Sequence, residues 1–180
     1  MTTTAAPVLE RPGAGEHAEY YSKYTSLVPD GDLLELLERQ ADEFAGFLRG
    51  IPAHLHDHRY AEGKWSVKEV IGHIADAERV FSYRAMRFSR GDATPLASFD
   101  ENAYVANARF AEQAFEYLVD DWVAVRRATV SLLSGLNAGE AARRGTASGW
   151  EVSVRALAWI MAGHVIHHTS VLRERYLGAS

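Results

Sequence analysis

The chain has 180 residues, 47% hydrophobic and 24% charged, which suits one compact core and excludes wholesale disorder. Nineteen Lys and Arg against 24 Asp and Glu give a formal charge of -5 with no basic run, so a nucleic-acid partner is not expected. Cysteine is absent, which excludes disulfides, thiolate ligands and a cysteine nucleophile and leaves only histidines or carboxylates to hold a metal.

Residues 1–29 contain Pro7, Pro12 and Pro29 among Thr, Ala and Gly, without apolar periodicity. This predicts an extended N-terminal arm whose first dozen residues are mobile. Tyr20, Tyr21 and Tyr24 predict that its later half lies against the domain, since a free tail gains little from three aromatic rings. The opening MTTTAAPVLERPGAGEH lacks the basic start and apolar stretch of a secretory signal, and no apolar run is long enough to span a bilayer. A cytoplasmic protein without a membrane partner is the expectation.

Residues 30–180 read as a single domain of four amphipathic helices. The first runs from about Asp32 to Gly50, with Leu33, Leu37, Phe44 and Phe47 on one face. The second opens at Ser66, an N-cap with Glu69 three positions on, and carries Val67, Val70, Ile74, Ala77, Phe81, Ala85 and Phe88 up to Gly91. After a turn begun by Ser98-Phe99-Asp100-Glu101, the third carries Ala111, Phe115, Leu118, Trp122, Val125, Thr129, Leu132 and Leu136. The fourth runs from near Ser153 through Leu157, Met161, His164, His168 and Leu172 to Tyr176. The connecting segments show no sustained alternation and predict no strand. The expected fold is therefore all-α: an up-and-down-type four-helix bundle about 30 Å long, with the arm attached.

Three of the eight histidines fall in GHVIHH, within the fourth helix. At about 100° per residue, His164 and His168 stand one turn apart and both face the core. Each buried imidazole must satisfy two ring nitrogens. Either neighbouring side chains and carbonyls do so, or the pair converges on a metal with a ligand from another helix. His73 of the second helix sits on the shoulder of its apolar stripe, where it can face an adjacent helix. Three imidazoles from two helices would leave zinc a fourth, open position.

His167 points sideways and is assigned to substrate contact, to support of the ligands or to ordinary packing. Glu69, one turn before His73, either orients that imidazole or completes the Ser66 cap. Tyr104, in a turn outside the long helices, is a substrate candidate, whereas Arg84 is expected to pair with Asp76, Glu78 or an acid on a neighbouring helix. His54, His56 and His58 lie between Pro52 and the Ser66 cap and read as a solvated loop outside the site.

The segments KWSVKEVIGHIADAERVFSYRAMRFSRGD, FDENAYV and HVIHHTSVLRERY resemble the DinB-like, or YfiT-like, superfamily of metal-dependent proteins, and the resemblance covers nearly the whole chain. It implies a four-helix bundle in which His73, His164 and His168 bind a divalent metal. It also implies a tendency to form homodimers and, in several relatives, group transfer or isomerisation with a low-molecular-weight thiol at the metal. The expected function is a metal-dependent enzyme acting on a small molecule. Zinc or nickel would act as a Lewis acid, either on water for hydrolysis or on a thiol cosubstrate for transfer. The alternative is a non-catalytic metal or small-ligand module used in sensing or stress response.

Overall fold

The computed structural model describes residues 8–178. The expectation for the extreme start of the arm, residues 1–7, lies outside them. In chain order the elements are α1 (Ser22–Thr25), α2 (Leu33–Arg49), α3 (Val67–Ser89), α4 (Glu101–Asn107), α5 (Phe115–Ser134) and α6 (Ala138–Ala141), then β1 (Arg144–Ala147), β2 (Trp150–Ser153) and α7 (Val154–Val171). A π-helical turn, Leu172–Tyr176, follows α7.

The long helices start where side chains satisfy their free N–H groups. Asp32 accepts from the backbone of Leu34 and Glu35 at the head of α2, and Ser153 accepts from Ala156 at the head of α7. Ser66 and Glu69 form a reciprocal capping box at α3. The all-α four-helix bundle stands as expected, and the order of its helices is the feature that periodicity could not supply. Helix α3 packs against α5 and α7, and α2 packs against the same two. The pair α2 and α3 and the pair α5 and α7 therefore stand diagonally, because the connectors at 50–66 and 135–153 are long enough to cross the end of the bundle, whereas α3 and α5 are neighbours.

Three local readings need correction. The connector before α7 holds a hairpin: β1 pairs antiparallel with β2, from Arg144 opposite Ser153 to Ala147 opposite Trp150. Its loop is Ser148-Gly149, with φ of 55° and 81°, a two-residue turn that matches the twist of the strands. Leu96 adds a parallel bridge to Ala147. Strands of four residues containing Gly and Thr are too short to show an alternating pattern. The second correction is that Glu101–Asn107 is helical rather than a turn, because Asp100 accepts from Asn102 and Ala103 and caps it. The third is that Ala111 lies outside α5. Arg109 adopts a left-handed φ of 53° and Phe110–Glu112 forms a separate 3-10 turn.

The core has two apolar lobes. One includes Leu37, Phe81, Phe88, Leu157 and Met161, the other Phe44, Leu48, Ile71, Ile74, Leu118 and Trp122. Each fully buried aliphatic or aromatic side chain contributes about 1.5–3 kcal/mol. Polar side chains lie between the lobes. Arg126 donates to both carboxylate oxygens of Glu78 at 2.6 Å and to Gln40 at 2.6 Å, and Gln40 donates to the Ala162 carbonyl at 3.1 Å.

The N-terminal segment is anchored from Leu9 onward, where a mobile stretch was expected. Leu9 is buried, and its carbonyl accepts from the Trp159 indole at 3.0 Å. Arg11 stacks over Trp159 and donates to the Thr25 and Val28 carbonyls. Glu16 accepts from Arg155 at 2.6 and 2.7 Å and from Ser153 at 2.7 Å.

Candidate metal centre

Helices α3 and α7 bring His73, His164 and His168 together, and in two of these positions the preceding residue is glycine. A Cβ on Gly72 would run into the Phe110 ring, and one on Gly163 would run into the backbone of Tyr24. The two glycines let Phe110 and the α1 segment lie directly on the helices beside the ligand candidates. Tyr24 then stands edge-on to His164 at 5.2 Å and to His167 at 5.4 Å between ring centroids. Trp65 covers His73 at 4.7 Å, and its carbonyl accepts from the Tyr176 hydroxyl at 2.7 Å, tying the end of the chain to the head of α3.

The three Nε2 atoms converge. Nε2 of His164 lies 3.2 Å from that of His73 and 3.0 Å from that of His168. An aromatic ring nitrogen carries either one hydrogen or one lone pair, so His164 Nε2 can complete a good hydrogen bond with only one of these neighbours. A central cation accepts lone pairs from all three at once. Tetrahedral zinc with N ligands at about 2.0–2.1 Å would set the nitrogens about 3.3 Å apart, close to the spacing found. Burial pushes the pKa of all three rings down, to about 4 for His73, so their lone pairs are free at neutral pH. The donor set fits a divalent ion that prefers imidazole.

Two cavities meet at the trio. One, of about 330 Å³, is bounded by Tyr60, Trp65, Asn102, His167, His168 and Tyr176. The other, of about 100 Å³, is bounded by His73 and His164 together with Tyr20, Tyr21, Tyr24, Phe81, Phe99, Glu101 and Ser148. The arm tyrosines thus form one wall of the site. His168 Nδ1 is buried with no hydrogen-bond partner among the described residues.

The remaining candidates fall in different places. His167 stays outside the convergent set and lines the larger cavity. Both carboxylate oxygens of Glu69 are held by Arg59, at 2.5 and 2.9 Å, and one also accepts from the Ser66 backbone at 2.7 Å. Glu69 is therefore a capping residue and makes no hydrogen bond to His73. Tyr104 is exposed on α4, its ring 5.5 Å from Phe99, and bounds neither cavity. Arg84 pairs with no acid among the described residues, contrary to expectation; its Nη2 donates to the Ala97 carbonyl at 2.8 Å and to Ser148 Oγ at 3.0 Å. His56 stacks on Phe115 at 3.5 Å instead of lying in solvent, while His54 and His58 are exposed. Glu101, Ser148 and Trp65 border the site; Trp65 lies in the KWSV segment that carries the family resemblance, whereas Glu101 and Ser148 are not predicted there. Only Trp65, directly before the Ser66 cap, carried a positional signal.

A helical bundle with a convergent, largely buried histidine trio between two facing helices defines the class of protein. The DinB superfamily family model matches residues 36–172, a span that includes all three histidines, and the chain belongs to that superfamily. It is similar in structure to YfiT from Bacillus subtilis, described as a probable metal-dependent hydrolase with an unusual four-helix bundle topology. The TM-score is 0.68 at 18% identity, over 82% of this chain and 87% of that one. At that identity the likeness establishes the fold. No curated protein matches the chain. No helix among the described residues is long and apolar enough to cross a membrane.

Proposed function

We propose that this protein is a metal-dependent enzyme for a small-molecule substrate, with His73, His164 and His168 holding zinc or nickel. The observation that carries the reading is the convergence of three Nε2 atoms, two on buried rings and one on a half-buried ring, among which His164 Nε2 can complete a hydrogen bond with only one neighbour. When bound, such an ion supplies Lewis acidity and lowers the pKa of a water or thiol in its open position. Hydrolysis is the first expectation, in keeping with the description of YfiT. Transfer would need a low-molecular-weight thiol as cosubstrate, because the chain has no cysteine of its own.

The surrounding side chains have distinct tasks. Tyr24 and Trp65 hold two of the imidazoles edge-on or tilted and keep bulk water from them. Glu101 shares the smaller cavity with His73 and His164 and is the acid placed to take a proton from an incoming nucleophile. We further expect a cytoplasmic homodimer, which sedimentation of the purified protein would test.

The direct test of function is turnover by tag-free protein loaded with zinc or nickel on an ester, an amide and a thiol-transfer substrate. Chelation should abolish turnover and leave the helical circular dichroism unchanged. Tight metal binding with no turnover on any of the three would favour a non-catalytic binding module.

A further inference from the structure

Arg84 is 3% exposed, yet no carboxylate compensates its charge. Among the described residues, its Nη2 donates to the neutral acceptors Ala97 O and Ser148 Oγ, and the Tyr21 phenol faces the guanidinium. Nε and Nη1 make no hydrogen bond to a carbonyl or carboxylate among the described residues. A guanidinium carries five N–H donors in a planar fork suited to a carboxylate. The other deeply buried arginine of the bundle, Arg126, uses the same fork on Glu78. Arg84 has the same chemistry and the same burial without the acid.

Its position relates it to the histidine trio. Arg84 is 11 residues beyond His73 on α3, about three turns, and so returns to the same side of the helix. The intervening turns on that side present Ala77 and Phe81, which line the 100 Å³ cavity, and an α-helical side chain leans toward the N-terminus, here toward His73. The Phe81 ring bridges the two groups: its centroid is 6.0 Å from the Arg84 guanidinium carbon and 6.3 Å from the His164 ring. Phe99, another wall of the cavity, lies 5.8 Å from the guanidinium. Arg84 itself stands directly behind this wall: Ser148, a third lining residue, accepts from it, and the phenol of Tyr21, a fourth, lies beside it. Glu101 is the one acid lining this cavity, and it forms no ion pair with Arg84.

We propose that Arg84 is a specificity-determining residue that receives the carboxylate of a small substrate lying in the cavity of Phe81, Phe99 and Tyr21, with its reacting end at the histidine trio. The substrate class is a monocarboxylate whose apolar, preferably aromatic, body fits between those rings. This deepens the metal-dependent reading and rests on it for the reacting end, whereas the contact between carboxylate and Arg84 requires no metal.

Benzoate and its neutral isostere benzamide test the assignment, by calorimetry on metal-loaded and on chelated protein. Wild type should bind benzoate at least tenfold more tightly than benzamide in both forms. Arg84→Gln should lose that preference while retaining full metal content, and His164→Ala should lose metal while keeping the preference. Arg84→Lys retains the charge without the fork, so it should fold if Arg84→Gln does not, and should show a weakened preference for the anion. Equal binding of benzoate and benzamide by wild type would overturn the proposal. So would a preference that survives Arg84→Gln, or one that disappears with the metal in His164→Ala, since the anion would then sit on the ion. Loss of metal binding by wild type would defeat the functional reading above and leave the chelated arm of this experiment intact.

Discussion

The bundle buries two polar clusters close together, and they are resolved in opposite ways. In the first, Arg126, Glu78 and Gln40 saturate one another: the guanidinium fork meets both carboxylate oxygens, and the remaining donors reach Gln40 and the Met161 carbonyl. In the second, three imidazoles aim like groups at one point, and among the described residues no carboxylate joins them. Burial of polar groups is costly unless they are paired. A closed cluster therefore reads as architecture and an open one as a place for something from outside.

Removing one member of the closed cluster should have the largest effect. Glu78→Ala leaves Arg126 charged and unpaired in the core and should cost roughly 3–5 kcal/mol in urea unfolding, with the metal content of the folded fraction unchanged. The open cluster should respond to ligand instead. Zinc at a hundredfold excess over its Kd should stabilise wild type by about 2.7 kcal/mol. His164→Leu should abolish that gain, yet lie within about 1.5 kcal/mol of metal-free wild type, because the lost imidazole had no complete set of partners. A His164→Leu variant as damaged as Glu78→Ala would erase the distinction between the clusters.

A further ion pair lies away from both clusters. Arg155 holds the Glu16 carboxyl down to about 2 from its ordinary 4.5. A depressed carboxylate contributes stability at pH values above its unfolded pKa and loses it as pH falls through the folded one. The stability gap between wild type and Glu16→Gln, roughly 2 kcal/mol, should therefore be constant from neutral pH down to about 5 and close between about 4.5 and about 2. A gap that persists at pH 2 would mean that the charge of Glu16 is not what anchors this segment. Gly163→Ala should cost about 1–3 kcal/mol, because its Cβ meets backbone that cannot rotate out of the way. Its Cβ has to displace the Tyr24 backbone from α7, which should raise the accessibility of the Tyr24 ring with metal content retained.

Much of the fold was legible because helix period and caps are local properties. The Ser66 and Glu69 box and the pairing of His164 with His168 one turn apart follow from spacing alone. The ring order of the helices does not, since it depends on which way the long connectors cross the end of the bundle. The hairpin at Arg144–Ser153 leaves no alternating pattern in the sequence because its strands are four residues each, although Ser148-Gly149 is a turn dipeptide. At the site, helix geometry explained why His73 could meet the pair, whereas Arg84 was assigned an acid it lacks. Its acceptors are a carbonyl at position 97 and a hydroxyl at 148, which no spacing rule connects to it. Glu101 reaches the cavity only because α4 folds over the site.

The central claim is that the open cluster is completed by one divalent ion. Metal analysis of tag-free protein after dialysis against zinc should give one equivalent per chain for wild type and for His167→Ala, and none for His73→Ala, His164→Ala or His168→Ala. Stoichiometric metal retained by all three ligand variants, or none bound by wild type, would contradict the account.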